Sequence, residues 1–250
     1  MPKSKLTLGM ERLVDRLRSA RSVFALTGSG ISAESALPTF RGVGGLWHTH
    51  RVEELASPAG FAADPQLVWT WYNERKAAHQ RAKPNAGHYA LARLEALAND
   101  FTLATQNVDS LHLRAGSRRV LELHGDLREA RCSSCGFRRP LDARGLPIEE
   151  IEHECGGRLR PNIVWFGEAL PQRTWREAAE AAARADVILV IGTSAVVYPA
   201  AALATHYGEG AFVAEINPQE TAISRGVDLT IRAPAAEALP AIVEAFGALR

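Results

Sequence analysis

Gln106, Asn107, Asp109 and His124 are the residues of this 250-residue chain whose types and spacing could do chemistry on a polar small molecule. Two amides and a carboxylate lie just past the apolar run Phe101–Thr105. Together they can recognise a carboxamide such as that of nicotinamide, and the ribose next to it. An Asx-rich turn is the plain alternative. His124 ends the next apolar run, Val120–Leu123. Histidine is the natural general base near neutral pH, and Gly125 beside it leaves room for other groups to approach. A packing or capping histidine is the competing reading.

A second set of residues suits phosphate. Gly28, Ser29, Gly30 and Ala33 spell G-x-G-x-x-A directly after the apolar run Val23–Leu26, the pattern of a dinucleotide-binding turn. Phe40 and Arg41 follow closely and add an aromatic ring and a guanidinium. Gly192, Thr193 and Ser194 follow the run Asp186–Ile191 and offer hydroxyls and N–H groups ahead of a helix. Asn217, after Ala211–Ile216, can hold a ribose hydroxyl. Simple caps and turns explain each of these alone. The acidic ribose ligand expected about 20 residues past such a glycine turn has no convincing candidate, so this is not the ordinary dehydrogenase layout.

The elements that must position these groups alternate. Apolar spacing predicts a helix over Leu8–Ala20, then a strand leading into the glycine turn. Asp64-Pro65 starts a helix that stops near Pro84, and Asn85 caps another that ends near Asn99. Further helices are expected over Thr174–Arg184, Pro199–Tyr207 and Ala235–Leu249, with a short last strand over Asp228–Ile231. Strands alternating with helices imply an α/β fold, a Rossmann-like parallel sheet with helices on both faces. The polar residues fall just past strand C-termini, where open α/β sheets bind ligands. Cys132–Cys155 differs in composition from its flanks and reads as a small inserted module. One catalytic domain over 1–250 is expected, its core at about 1–45, 85–130 and 160–250. Inserts at about 46–84 (helical) and 131–159 (cysteine-bearing, zinc-ribbon-like) form the small module.

A net charge of +1 gives no electrostatic case for nucleic acid or a membrane surface. No apolar run approaches the length of a bilayer span, and the basic N-terminus lacks the apolar core of a secretory signal. Three clustered cysteines point to metal in a reducing compartment more than to disulfides, so a cytoplasmic protein is expected.

In combination the motifs resemble the sirtuins, NAD-dependent protein-lysine deacylases. The likeness is carried by TGSGISAESALPTFRG from Thr27, TQNVDSLH from Thr105, LHGD from Leu123 and VWFGE from Val164. It spans roughly Val23–Pro240, including the Gly192-Thr193-Ser194 turn, Asn217 and the AEALP segment beside Ala235 and Ala236. The resemblance implies that NAD is cleaved at its glycosidic bond as the acyl-lysine amide oxygen attacks the ribose. Nicotinamide, free lysine and O-acyl-ADP-ribose are the implied products. It implies His124 as general base and Asn107 as a second catalytic group, with Asn107 and Asp109 in the nicotinamide pocket. Phe40 would shield the ribose, and Arg41 would organise the phosphates. Gly28, Ser29, Gly30, Ala33, Gln106, Gly192, Thr193, Ser194, Asn217, Ala235 and Ala236 complete the implied NAD site. Val164, Trp165 and Phe166 would pair with the backbone of the acylated protein. Ala36 and Ser110 stand where the family usually has glycine, awkward positions if they require positive φ.

Tyr72 and Arg75 are three apart on a predicted helix and share a face. A guanidinium fork and a phenol suit a succinyl, malonyl or glutaryl carboxylate, and the pair resembles the Tyr-x-x-Arg of desuccinylase-type sirtuins. Ala56 leaves room for a longer acyl chain. A solvated helix face, with Arg75 merely beside Glu74, is the alternative. Cys132 and Cys135 form half a zinc site, and Cys155 matches the other half without its cysteine partner. His153 completes the set, or a carboxylate or water does, or no metal binds; a bound zinc would be structural. A hydride-transferring oxidoreductase, a protein ADP-ribosyltransferase and a non-catalytic NAD or ADP-ribose sensor are the rival functions.

Overall fold

The computed structural model describes residues 6–40, 46 and 51–248. Six parallel strands form the main sheet: β1 (Ser22–Thr27), β2 (Asp100–Thr105), β3 (Val120–Glu122), β7 (Val187–Ile191), β8 (Phe212–Ile216) and β9 (Leu229–Ile231). Their spatial order is β3-β2-β1-β7-β8-β9. The chain therefore winds outward to one side of β1 and then returns to its other side. That reversal opens a crevice beyond the C-terminal ends of β1 and β7.

Every residue of β1 and β7 is buried, as expected for strands covered on both faces. The period of two divides them between two cores. Val187, Leu189 and Ile191 face a core shared with α1 (Leu8–Ser19), α5 (Ala86–Leu97) and α9 (Ala235–Gly247). Ile188 and Val190 face the opposite core with α7 (Gln172–Ala183) and α8 (Ala202–Thr205). The caps are those legible in sequence. The Asp64 carboxylate accepts from Leu67 N–H at the start of α4 (Pro65–Arg81), and the Asn85 side chain accepts from Gly87 N–H at the start of α5. The helix expected over Pro199–Tyr207 is shorter: Ala202, Leu203 and Ala204 N–H each donate three residues back, and only Ala202–Thr205 is α-helical.

The small module has its own core. It joins α2 (Val52–Leu55), α3 (Pro58–Ala63) and α4 to an antiparallel sheet of β5 (Arg138–Pro140), β4 (Gly125–Cys132) and β6 (Leu159–Ile163). Trp69, fully buried, anchors α4 there by donating its indole N–H to Leu159 O at 2.8 Å. The sequence reading missed this sheet. Its strands are rich in arginine and proline and lack an apolar alternation to mark them.

Among the described residues, no helix is long and apolar enough to cross a membrane.

Candidate active site

The glycine turn closes on backbone alone. Gly28 N–H donates to Ile191 O, and Gly30 N–H donates to Gly192 O at 2.7 Å. A Cβ on Gly30 would lie 2.7 Å from that same oxygen. Two strand-end loops thus meet at a distance that no side chain permits. The segment that follows, Ser29–Ser35, is a 3₁₀ helix rather than the start of an α-helix, and it ends at Ala36 with φ +60°. Ser110 also takes a left-handed conformation, φ +61°. Both small residues therefore stand where glycine is favoured.

Asn107 is buried beneath this turn. Its Nδ2 donates to Gly28 O at 3.1 Å and to Ser32 Oγ at 3.2 Å. Ser32 Oγ in turn donates to Asp109 Oδ2 at 2.7 Å, and Asp109 Oδ1 accepts from Leu111 N–H. Burial pushes the Asp109 carboxyl above its ordinary value, against these hydrogen bonds. Ser32 is the residue that sequence reasoning passed over; its place one position before Ala33 in the glycine motif was the available signal. Gln106 Nε2 donates to Thr193 Oγ1 at 3.0 Å, and Asn217 Nδ2 donates to Thr193 O at 3.1 Å. These side chains tie the ends of β2, β7 and β8 together.

His124 Nδ1 lies 3.0 Å from Gln106 O. A carbonyl can only accept, so Nδ1 carries the proton and Nε2 presents its lone pair. Burial lowers the His124 pKa below the ordinary histidine value, partly offset by that hydrogen bond. The ring is therefore neutral at pH 7. Gly125 has a different reason from the one expected. Its φ is +75°, and a Cβ would lie 2.1 Å from Asn162 O on β6.

A cavity of about 220 Å³ runs from this point to α4, lined by Gly28, Ser29, Phe40, Gln106, Asn107, His124, Thr193 and Ser194 at one end. Ala56, Tyr72, Arg75, Val164, Trp165 and Phe166 line the other end. Tyr72 is buried, and burial pushes its phenol up to about 12, so it stays protonated. The Arg75 guanidinium sits 4.7 Å from the Phe40 ring centroid and 4.8 Å from that of Trp71. It makes no ion pair or hydrogen bond with any described residue, Glu74 included. Burial lowers its pKa to about 10, still well above neutral, with Tyr72 and Asp109 acting in the opposite direction.

The N–H groups of Val164, Trp165 and Phe166 are all engaged, with His124 O, Glu168 Oε2 and Ala56 O respectively. Gly30, Ala33, Asp109, Gly192, Asn217, Ala235 and Ala236 do not themselves line the cavity. Ala235 is packed in the main core, where α9 begins against α5. Arg41 lies outside the described residues.

In the small module, one ligand atom from each of Cys132, Cys135, His153 and Cys155 lies within 4.8 Å of every other. Cys132 Sγ is 3.5 Å from Cys155 Sγ. His153 Nδ1 is 3.2 Å from Cys155 Sγ and 3.8 Å from Cys135 Sγ. Zn–S bonds of about 2.3 Å in a tetrahedron give edges of about 3.8 Å, so this donor set fits zinc. Gly156 turns at φ +77° and Gly156 N–H donates to His153 O at 2.9 Å. That turn folds His153 and Cys155 onto one ligand face although only one residue separates them. The Cys132 thiol is pulled down to about 6 by donation from the backbone N–H groups of Cys135 and Ser134.

The model of the Sir2 family matches residues 28–199, more than half of the chain. The chain belongs to the Sir2 family. This sirtuin is 52% identical over 236 residues to NAD-dependent protein deacylase 2 of Pyrobaculum aerophilum, covering 93% of this chain and 94% of that one. It is 46% identical to NAD-dependent protein deacylase 1 of Archaeoglobus fulgidus, covering 93% of this chain and 96% of the relative. Among solved structures, a Sir2 homologue–NAD complex superposes with a TM-score of 0.90 at 44% identity, covering 96% of this chain and 94% of that one. A Sir2–p53 peptide–NAD⁺ complex gives a TM-score of 0.82 at 32% identity, covering 96% of this sirtuin and 99% of that chain.

Proposed function

We propose that this sirtuin removes acyl groups from protein lysines with NAD as co-substrate, and that it favours acidic acyl groups such as succinyl and malonyl while retaining deacetylation. The NAD-dependent deacylase activity follows from relatives named for it at about half identity along nearly the whole chain. NAD supplies the glycosidic bond that is broken and the ribose that takes the acyl group. This chain's residues bind, orient and move a proton around it. With the Gly28 and Gly30 N–H groups engaged by the chain, Ser29 between them and the hydroxyls of Thr193 and Ser194 line the cavity and offer donors to the phosphates. Asn107 keeps its Oδ1 for a carboxamide while Nδ2 is held by the chain. His124 Nε2 is the base that can accept a ribose hydroxyl proton.

One observation supports the acidic preference: Arg75 is a half-buried guanidinium that makes no ion pair or hydrogen bond among the described residues, with Asp109 acting on it only through space, and it lines the same cavity as Tyr72. Burying an unpaired charge is costly, so a carboxylate arriving there gains more than it would at the surface. Ala56 keeps that end of the cavity wide.

The test is a mass-spectrometric assay with NAD and two otherwise identical peptides, one acetyl-lysine and one succinyl-lysine, following nicotinamide, free lysine and acyl-ADP-ribose. A succinyl preference that collapses in Arg75→Met by a factor of about 10–100, with a much smaller change for acetyl, is expected. Equal losses for both acyl groups would overturn the acidic reading and leave the deacylase. ADP-ribose retained on the peptide without acyl removal would overturn the deacylase in favour of ADP-ribosyl transfer.

A further inference from the structure

Trp165 lines the same end of the cavity as Tyr72 and Arg75. Its indole Nε1–H lies 3.0 Å from Tyr72 Oη, and both side chains are buried. An indole nitrogen can only donate. Tyr72 Oη must therefore accept in this bond, and its own O–H hydrogen is left to point elsewhere. Among the described residues Tyr72 Oη has no other hydrogen-bond partner. The other polar side chain on this wall, Glu168, is saturated by a bidentate fork from Arg160 and by Trp165 N–H.

We infer that Trp165 is a specificity-setting residue: by occupying the acceptor side of Tyr72 it makes the acyl end of the cavity a site of donors only, which takes a carboxylate and rejects its neutral amide isostere. The inference rests on the acidic-acyl reading above. A carboxylate offers acceptors alone and meets the Tyr72 O–H and the Arg75 fork. A terminal amide brings two N–H donors that find no acceptor, because the Tyr72 oxygen is already engaged.

The indole is held rigidly enough to play this part. The Arg160 guanidinium lies 3.5 Å from its ring centroid, and the Phe61 ring centroid is 5.3 Å away. Arg160 also donates to Ile163 O at 2.9 Å, fixing itself to β6. The glutamate that ends the VWFGE motif thus acts through Arg160 and Trp165. It is a positioning residue, its carboxylate oxygens taken by Arg160, Arg131 and the Trp165 N–H.

The experiment compares succinyl-, acetyl- and succinamoyl-lysine peptides in the wild type, Trp165→Phe, Tyr72→Phe and the double variant. Thermal melting identifies any variant that fails to fold. In that event, the wild-type comparison of succinyl with succinamoyl still tests the donor-only site, and no discrimination there overturns the inference. Three results are expected. Trp165→Phe lowers the succinyl-to-acetyl ratio of kcat/KM roughly tenfold, through KM. It narrows the discrimination against the amide isostere, a readout that loosened packing alone would not move selectively. In the Tyr72→Phe background it adds little to either effect, because its action runs through that hydroxyl. Full additivity of the two substitutions, or an unchanged amide discrimination in folded Trp165→Phe, would overturn the inference while leaving the acidic preference standing. Absence of any succinyl preference in the wild type would overturn both.

Discussion

At the residue scale, one hydrogen bond and burial set the state of His124. The Gln106 carbonyl fixes the tautomer of His124, and burial keeps the ring neutral. Because its pKa is lowered, the base form persists on acidification past the ordinary histidine range. The acid limb of kcat/KM should therefore have its midpoint below the ordinary histidine value of about 6.5. A midpoint at or above that value in a pH–rate profile would remove His124 as the group being titrated. Ala36 provides a second check. It is exposed and left-handed, so Ala36→Gly relieves a strain of about 1–2 kcal/mol and gives back about 0.5–1 kcal/mol in chain entropy. A net gain of roughly 0.5–1 kcal/mol is expected in denaturant unfolding. A loss would show that φ at this position is not strained.

At the element scale, the parallel strands and their loops were legible because fully buried strands leave short apolar runs ending in glycine or polar turns. DVILVI from Asp186 is the plainest example. The caps at Asp64 and Asn85 were legible for a similar reason: the residue types that satisfy orphan N–H groups are few. The antiparallel sheet of the small module was not, since arginine fills positions that pattern reading expects to be apolar. Arg160 in particular is buried and looks like a surface residue in sequence. The metal site was half legible. The Cys132–Cys135 spacing announced it, but the placement of His153 depends on the turn at Gly156, which spacing does not reveal. Freshly purified protein should carry close to one zinc per chain. His153→Ala should weaken its retention against a chelator and lower the melting temperature, with His124 chemistry affected only through folding. Metal analysis finding no zinc in fresh protein would reject the site.

At the scale of the whole molecule, stability is tied to three buried histidines carried by α4, α5 and the short α6 (Leu111–Arg114). His79, His88 and His112 are depressed to about 3, 4 and 3, chiefly by burial. Their rings stay neutral in the folded chain but take up protons near 6.5 once exposed by unfolding. The unfolded state then binds more protons, so stability is complete above that value and is lost as pH falls from about 6.5 toward 4. A melting temperature that drops by several degrees between pH 7 and pH 5 is expected, measured by calorimetry at fixed ionic strength. A flat profile over that interval would mean that these rings do not titrate on unfolding.

The cavity is walled by two bodies of side chains that do not share a core. Tyr72 belongs to the core of the small module, and Arg75 stands on the same helix, whereas Asn107 and His124 hang from the ends of the parallel strands. Inheritance can therefore act on the two ends separately. On the proposed reading of Tyr72 and Arg75, substitutions along α4 would exchange one acyl group for another without disturbing the backbone clasp between Gly30 and Gly192. A lineage can change which modification it erases while the reagent that erases it stays the same.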